Sequence, residues 1–179
     1  MDIQKEMMGY LPNPEPLLNK IEKAIVNARK AGVPVIYVTL GFRKDHPEIH
    51  HEHKRFGGIK ASKVMFTEEH AGTAVHPAIE PLPADIIVTK KRVSAFAGSD
   101  LEIILRAQKA ETLILSGFST TGVVLGTLRE ATDKDYQVVV LSDACADPEP
   151  EVHNFLVKGV FPFSGEVMTT DEWVRSLDK

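Results

Sequence analysis

The chain has 179 residues, 43% hydrophobic and 26% charged, with a formal net charge of −4 at pH 7. That length and composition suit one globular domain over residues 1–179. The charge leaves no electrostatic footprint for nucleic acid, no apolar run approaches the roughly 20 residues that span a bilayer, no signal-peptide pattern opens the chain, and the single Cys145 excludes an internal disulfide framework and fits a reducing, cytoplasmic compartment.

Taken in chain order, strands alternate with helices, which predicts an α/β fold with a largely parallel sheet. The first helix spans about residues 14–31, with Asn13 as its cap, Pro14 in its first position and Gly32 at its close. Leu17, Leu18, Ile21, Ala24, Ile25 and Ala28 give it one apolar face. A buried strand follows at Val35–Val38. Residues 41–84 are long, polar and weakly periodic, the pattern of a lid, a binding loop, an interface arm or a solvated excursion. Ile86–Val88 is a second strand. Ser99 and Glu102 form a capping-box pattern ahead of Leu101, Ile104 and Leu105, so a helix starts there. Leu113–Leu115 is a third strand and Val138–Leu141 a fourth. Asp147 and Pro148 open a helix carrying Val152, Phe155 and Leu156. Glu166–Met168 reads as a short last strand before a terminal helix near Trp173. There is no internal repeat and no phosphate loop of the Gly-x-x-x-x-Gly-Lys kind, which weakens a flavodoxin-like reading.

The third strand runs into Gly117, turns through Ser119 and Thr120, and enters a helix. Gly117, Thr120 and Thr127 fit the pattern Gly-x-x-Thr-x-x-Cys-x-x-x-Thr, with Val123 at the cysteine position. Residues 85–96 match Asp-x-x-x-x-Lys-x-Arg-x-Ser-x-Phe, residues 136–146 end in Ser-Asp-Ala-Cys-Ala, and Asp2-Ile3-Gln4 matches Asp-x-Gln. In this order and spacing the chain resembles the isochorismatase-like (cysteine hydrolase) family over nearly its whole length. The resemblance implies a three-layer α/β/α, Rossmann-like sheet of order 3-2-1-4-5-6. It also implies a cis peptide between Phe118 and Ser119. It places Asp2 on the catalytic aspartate, Lys90 on the catalytic lysine and Val123 on the nucleophile. Phe96, Ser119, Thr120 and Arg92 become candidates for binding substrate, with an ion pair as the blander role for Arg92 and helix-end satisfaction for Ser119 and Thr120.

A valine carries no nucleophilic atom, so no thioester can form there. The family's isochorismatase branch also lacks the cysteine and uses its aspartate as an acid on a vinyl ether. The resemblance therefore implies a small-molecule hydrolase acting through Asp2 and Lys90, with a catalytically inactive ligand-binding or oligomeric scaffold as the alternative. Amide hydrolysis is harder to sustain without a strong nucleophile. It implies a small-molecule substrate and a homo-oligomer, and no cofactor. Cys145 reads as a small buried hydrophobe rather than a displaced nucleophile. The His-rich stretch (Asp45, His46, His50, His51, His53) fails the Asp-x-His metal pattern of the nicotinamidase branch because Asp45 and His46 are adjacent, so no metal is expected. Ordinary members carry an apolar strand immediately before Asp-x-Gln. Here the first central strand is expected to be absent, leaving a gap that the sheet must close, that another segment must fill, or that a natural start upstream of Met1 supplies.

Overall fold

A computed structural model describes residues 1–177. Asn13 accepts a hydrogen bond from the Glu15 amide (3.3 Å), and Pro14 leads into the long helix α2 (Glu15–Lys30) behind a short α1 (Lys5–Met8). Strands β1 (Ile36–Leu40) and β2 (Ile86–Lys90) pair in parallel, Val38 beside Val88. Between them lie α3 (Gly57–Ser62) and two 3₁₀ turns. After β2 come α4 (Leu101–Ala107), β3 (Thr112–Phe118), a π-type turn over Thr120–Val124 and α5 (Leu125–Asp133). β4 (Gln137–Ala146) lies parallel to β3 and to β5 (Glu166–Met168), with α6 (Pro150–Gly159) before β5 and α7 (Thr170–Ser176) after it.

Helices cover both faces of the strands, giving three layers. On one side Leu17, Leu18 and Ile21 of α2 and Trp173 of α7 pack against Tyr37 and Leu141. On the other, Leu105 of α4, Leu128 of α5 and Leu156 of α6 pack against Val88, Leu115 and Val140. These two apolar cores supply the burial that holds the layers together.

Two elements differ from their sequence signals. Ser99 does not complete a capping box: its hydroxyl donates to Ala95 O and accepts from Leu101 N–H, while Glu102 is drawn to Lys134 (2.7 Å). The capping box forms instead at Thr169 and Glu172. α6 begins at Pro150, because Asp147 is engaged elsewhere, accepting from the Thr121 amide and hydroxyl (2.8 and 2.6 Å).

The segment between β1 and β2 is not a solvated excursion. Phe42, Ile49, Phe56 and Phe66 bury themselves with Leu40 in a third apolar cluster. This lid is folded by its own side chains, with Phe42 and Phe56 meeting edge to face.

The sheet order is β2-β1 in one ladder and β3-β4-β5 in another, with no ladder between β1 and β3 among the described residues. In place of a continuous order 3-2-1-4-5-6, residues 1–4 stitch the two ladders together. Asp2 N–H donates to Val38 O (2.8 Å) on the β1 side. On the β3 side the Met1 ammonium donates to Ser116 O (2.9 Å), and Phe118 N–H donates to Met1 O (3.2 Å). The Gln4 amide does what a peptide group would: Nε2 donates to Leu40 O (2.8 Å) and Thr73 O (2.7 Å), and Oε1 accepts from Leu40 N–H (2.9 Å). Gly117 is required here, because a Cβ at its φ of +147° would collide with the carbonyl of Met1. Toward the N-terminal ends of β1 and β3 the ladders diverge around an apolar cavity of about 330 Å³, lined by Ile3, Ile21, Ile36, Leu105 and Ile114.

Gln4→Ala removes both partners of Leu40. At about 1–3 kcal/mol per unsatisfied buried group, urea unfolding should show a loss of about 2–6 kcal/mol with an unchanged denaturant slope.

Candidate active site

Three chain segments meet at one end of the strands. Asp2 arrives from the stitch, at a left-handed φ of 57°. Lys90 is the last residue of β2. Ser119 and Val123 come from the turn after β3, where the Phe118–Ser119 peptide is cis, as the resemblance implies. Together with Leu40, Arg55, Phe56, Ile59, Phe66 and Phe118 they line a cavity of about 520 Å³ roofed by the lid.

Asp2 and Lys90 form a buried ion pair, Nζ to Oδ2 at 2.9 Å, with side chains 5% and 2% exposed. Lys90 also donates to Arg92 O (2.8 Å), which fixes the ammonium. The other carboxyl oxygen, Asp2 Oδ1, is buried and has no hydrogen-bond partner. Burial pushes the Asp2 carboxyl above the ordinary value of 3.8, outweighing the opposing pull of Lys90, the Met1 ammonium and Arg55. The pair thus holds a carboxyl whose pKa burial raises, beside a fixed lysine, with one oxygen free.

Val123 packs an apolar group into the cavity wall beside the pair. Ser119 is at the cavity, and its carbonyl accepts from Gly122 and Val124 (3.1 and 3.3 Å), which closes the turn. Thr127 is buried and accepts from Ala95 N–H (2.9 Å), tying α5 to the segment that follows Lys90.

Three residues expected to bind substrate are not among those lining this cavity. Phe96 is a core residue, stacked on Tyr136 with Lys134 over its ring. Arg92 makes no ion pair among the described residues: it donates to Lys91 O (2.6 Å) and Glu48 O (2.8 Å), pinning the lid's backbone. Thr120 is fully buried behind the turn, its hydroxyl 2.8 Å from His153 Nδ1. Burial holds that imidazole below its ordinary pKa, against the pull of Asp147. Cys145 sits at the C-terminal end of β4, one residue before its last, outside the cavity lining, and burial pushes its thiol up to about 12.

The histidines disperse. His46 is buried, with Nε2 2.7 Å from Met65 O, and stacks obliquely on Phe42. His53 Nδ1 accepts from the amides of Arg55 and Phe56. Among the described residues only His50, His51 and Glu52 bring potential ligand atoms within 4.8 Å of one another, all exposed on the lid.

Sequence reading missed Arg55. It lies in the lid, far along the chain from the turn, yet its Nη2 stands 2.9 Å from where a Cβ on Gly122 would be. Nothing local in the sequence marks it; only the folding of the lid brings it over the turn.

A model of the isochorismatase domain family matches residues 1–172. The chain is 27% identical over 181 residues to the uncharacterized isochorismatase family protein YecD of Escherichia coli O157:H7, covering 99% of this chain and 93% of that protein. It is 25% identical over 167 residues to N-carbamoylsarcosine amidase of Arthrobacter sp, covering 93% of this chain but 63% of that protein. Among solved structures, a cysteine hydrolase from Pseudomonas syringae pv. phaseolicola 1448A superposes with a TM-score of 0.90 at 26% identity, covering 99% of this chain and 89% of that one.

Because Lys90 opposes the upward shift of the Asp2 carboxyl, Lys90→Met should raise that carboxyl's titration midpoint further. Carboxyl carbon NMR of the two proteins checks the direction.

Proposed function

The chain belongs to the isochorismatase family, and from that premise we propose that it is a small-molecule hydrolase working through Asp2 and Lys90 without a covalent intermediate, on an isochorismate-like vinyl ether. The observation that carries this reading is the free, buried Asp2 Oδ1 beside a fixed ammonium.

A vinyl ether is cleaved by adding a proton to its terminal carbon. The neutral Asp2 carboxyl supplies that proton from Oδ1, and the positive charge that forms is shared with the ether oxygen. Water then adds to the ether-bearing carbon, and the resulting hemiketal collapses to a ketone and an alcohol. One water is consumed, the C–O bond breaks, and the proton shed on collapse returns to Asp2. Lys90 stabilises the Asp2 carboxylate between these steps. No group in the cycle needs to be a nucleophile, which is compatible with Val123 at the cavity wall.

The relative that is named as an amidase suggests C–N hydrolysis, but an amide carbonyl calls for an attacking group that Val123 does not offer. The second reading, an inactive binding or oligomeric scaffold, draws on the same valine. Against it stands a buried ion pair that has no evident use in a scaffold and is costly to desolvate. A single domain over residues 1–179, a cytoplasmic location and a homo-oligomer complete the reading; among the described residues no helix is long and apolar enough to cross a membrane.

The test is pyruvate release from isochorismate. Release by the wild-type chain, with losses of about 10²-fold or more in Asp2→Asn and Lys90→Ala, supports the hydrolase. Silence in all three favours the scaffold. If Asp2 is the acid, kcat/KM should be full below its raised pKa and fall as pH climbs through it, with the limb lying above 3.8.

A further inference from the structure

We infer that the slot between β1 and β3 is a binding site for a polypeptide segment, which it takes as an extended apolar strand running parallel to both. The inference is independent of the chemistry assigned to Asp2 and Lys90.

Main-chain groups supply the first observation. In a sheet a strand offers its peptide groups alternately to its two neighbours. Ile86 N–H donates to Val35 O (3.4 Å) and Gly41 N–H to Lys90 O (3.2 Å), so the peptide groups of the odd-numbered residues of β1 serve β2. Those of Ile36 and Val38 face the slot, as the bond from Asp2 N–H to Val38 O shows. On the far wall Gln137 N–H donates to Glu111 O (2.9 Å), which leaves the peptide groups of Ile114 and Ser116 toward the slot. Beyond the bonds of Met1 and Asp2 this pairing stops. The peptide groups of Ile36 and Ile114 and the N–H of Val38 have no main-chain partner across the slot among the described residues. Val38 is nevertheless only 5% exposed. Buried main-chain groups are nearly always paired, so two facing rows of them call for a third row between.

The walls supply the second observation. The slot is bounded on one face by Ile21, Ala24 and Trp173 and on the other by Leu101 and Leu105. A strand covered on both faces in this way is a continuous apolar run. Ile36 and Ile114 border the slot half-buried, although they stand in the middle strands of the molecule. The slot reaches the surface between Pro34 and Gln108, both exposed, which gives a segment its way in. A small apolar molecule would fill the space and leave the peptide groups unanswered; a strand answers both.

Its inner end is already strand-like. Met1 bridges Gly117 in parallel fashion, donating to Ser116 O (2.9 Å) and accepting from Phe118 N–H (3.2 Å). The occupant therefore continues a path that residues 1 and 2 have begun, with its C-terminal end toward Met1 and its N-terminal end at the surface. At about 3.3 Å per residue, the stretch of β1 from Val38 back to Pro34 is matched by about four residues.

The probe is the peptide acetyl-Lys-Lys-Val-Ile-Val-Val-amide, its lysines left in solvent at the mouth, titrated into the full chain and followed by amide-resolved hydrogen exchange. Binding should slow exchange at the Val38, Ile114 and Ser116 amides by at least about tenfold. The same peptide N-methylated at its isoleucine keeps the apolar surface but loses one donor, and should bind at least about tenfold more weakly. The peptide with serine at its four apolar positions should leave exchange unchanged. No slowing at these three amides with peptide at about 1 mM, slowing confined to other amides, or equal affinity of the N-methylated peptide overturns the inference, the last by showing an apolar pocket that does not read a backbone. Pyruvate release plays no part in this readout, so the hydrolase reading can fail while this one stands, and the reverse.

Discussion

The stitch made by residues 1–4 is the constraint on which the rest depends. β1 and β3 share no ladder among the described residues, and their approach is set by the nitrogen and carbonyl of Met1, the Asp2 amide and the Gln4 side chain. These same few bonds set the position of Asp2, whose backbone is held to β1 while its side chain meets Lys90 from the end of β2. The turn after β3 is fixed from the other side, through Met1 over Gly117. Asp2 and the turn that faces it are therefore placed largely by main-chain bonds between the halves of the sheet, which are stiffer supports than loop side chains.

Burying a carboxyl and a lysine within a few ångströms is unfavourable unless the charges answer one another. Here Lys90 answers Asp2 and a backbone carbonyl. What is left over falls on Asp2, whose burial favours its neutral form. The same desolvation that strains the pair thus keeps a proton on the carboxyl to higher pH, which is what the proposed acid role asks of it. The lid contributes by closing its own apolar cluster beside the cavity, which it also helps to line through Phe56 and Phe66.

Much of this was legible in the sequence, and the exceptions share a cause. Asp2, Lys90, Ser119 and Val123 converge as the motifs implied, because each sits where a strand ends or a turn begins, and the ends of parallel strands share an edge. Phe96, Arg92 and Thr120 belong to the same motifs yet face away, since a spacing pattern gives position along the chain and not the direction of a side chain once the strand has ended. The pattern Ser99-x-x-Glu102 lost its glutamate to Lys134, a partner 32 residues on, whereas Thr169-x-x-Glu172 met no such competitor. Phe42, Ile49 and Phe56 stand seven residues apart with few apolar residues at the intervening i+3 and i+4 positions, and Phe66 falls out of step, so their cluster was invisible until folded. Arg55 was hidden for the same reason: its meaning comes from Gly122, which only the folded lid brings near.

With Val123 in the cavity wall and Cys145 sealed in β4, its thiol pushed up to about 12, the fold presents no reactive sulfur. Electrophilic warheads and cysteine-profiling reagents, which act on exposed thiolates, would pass this protein over. Discovery chemistry against it would have to begin from reversible ligands.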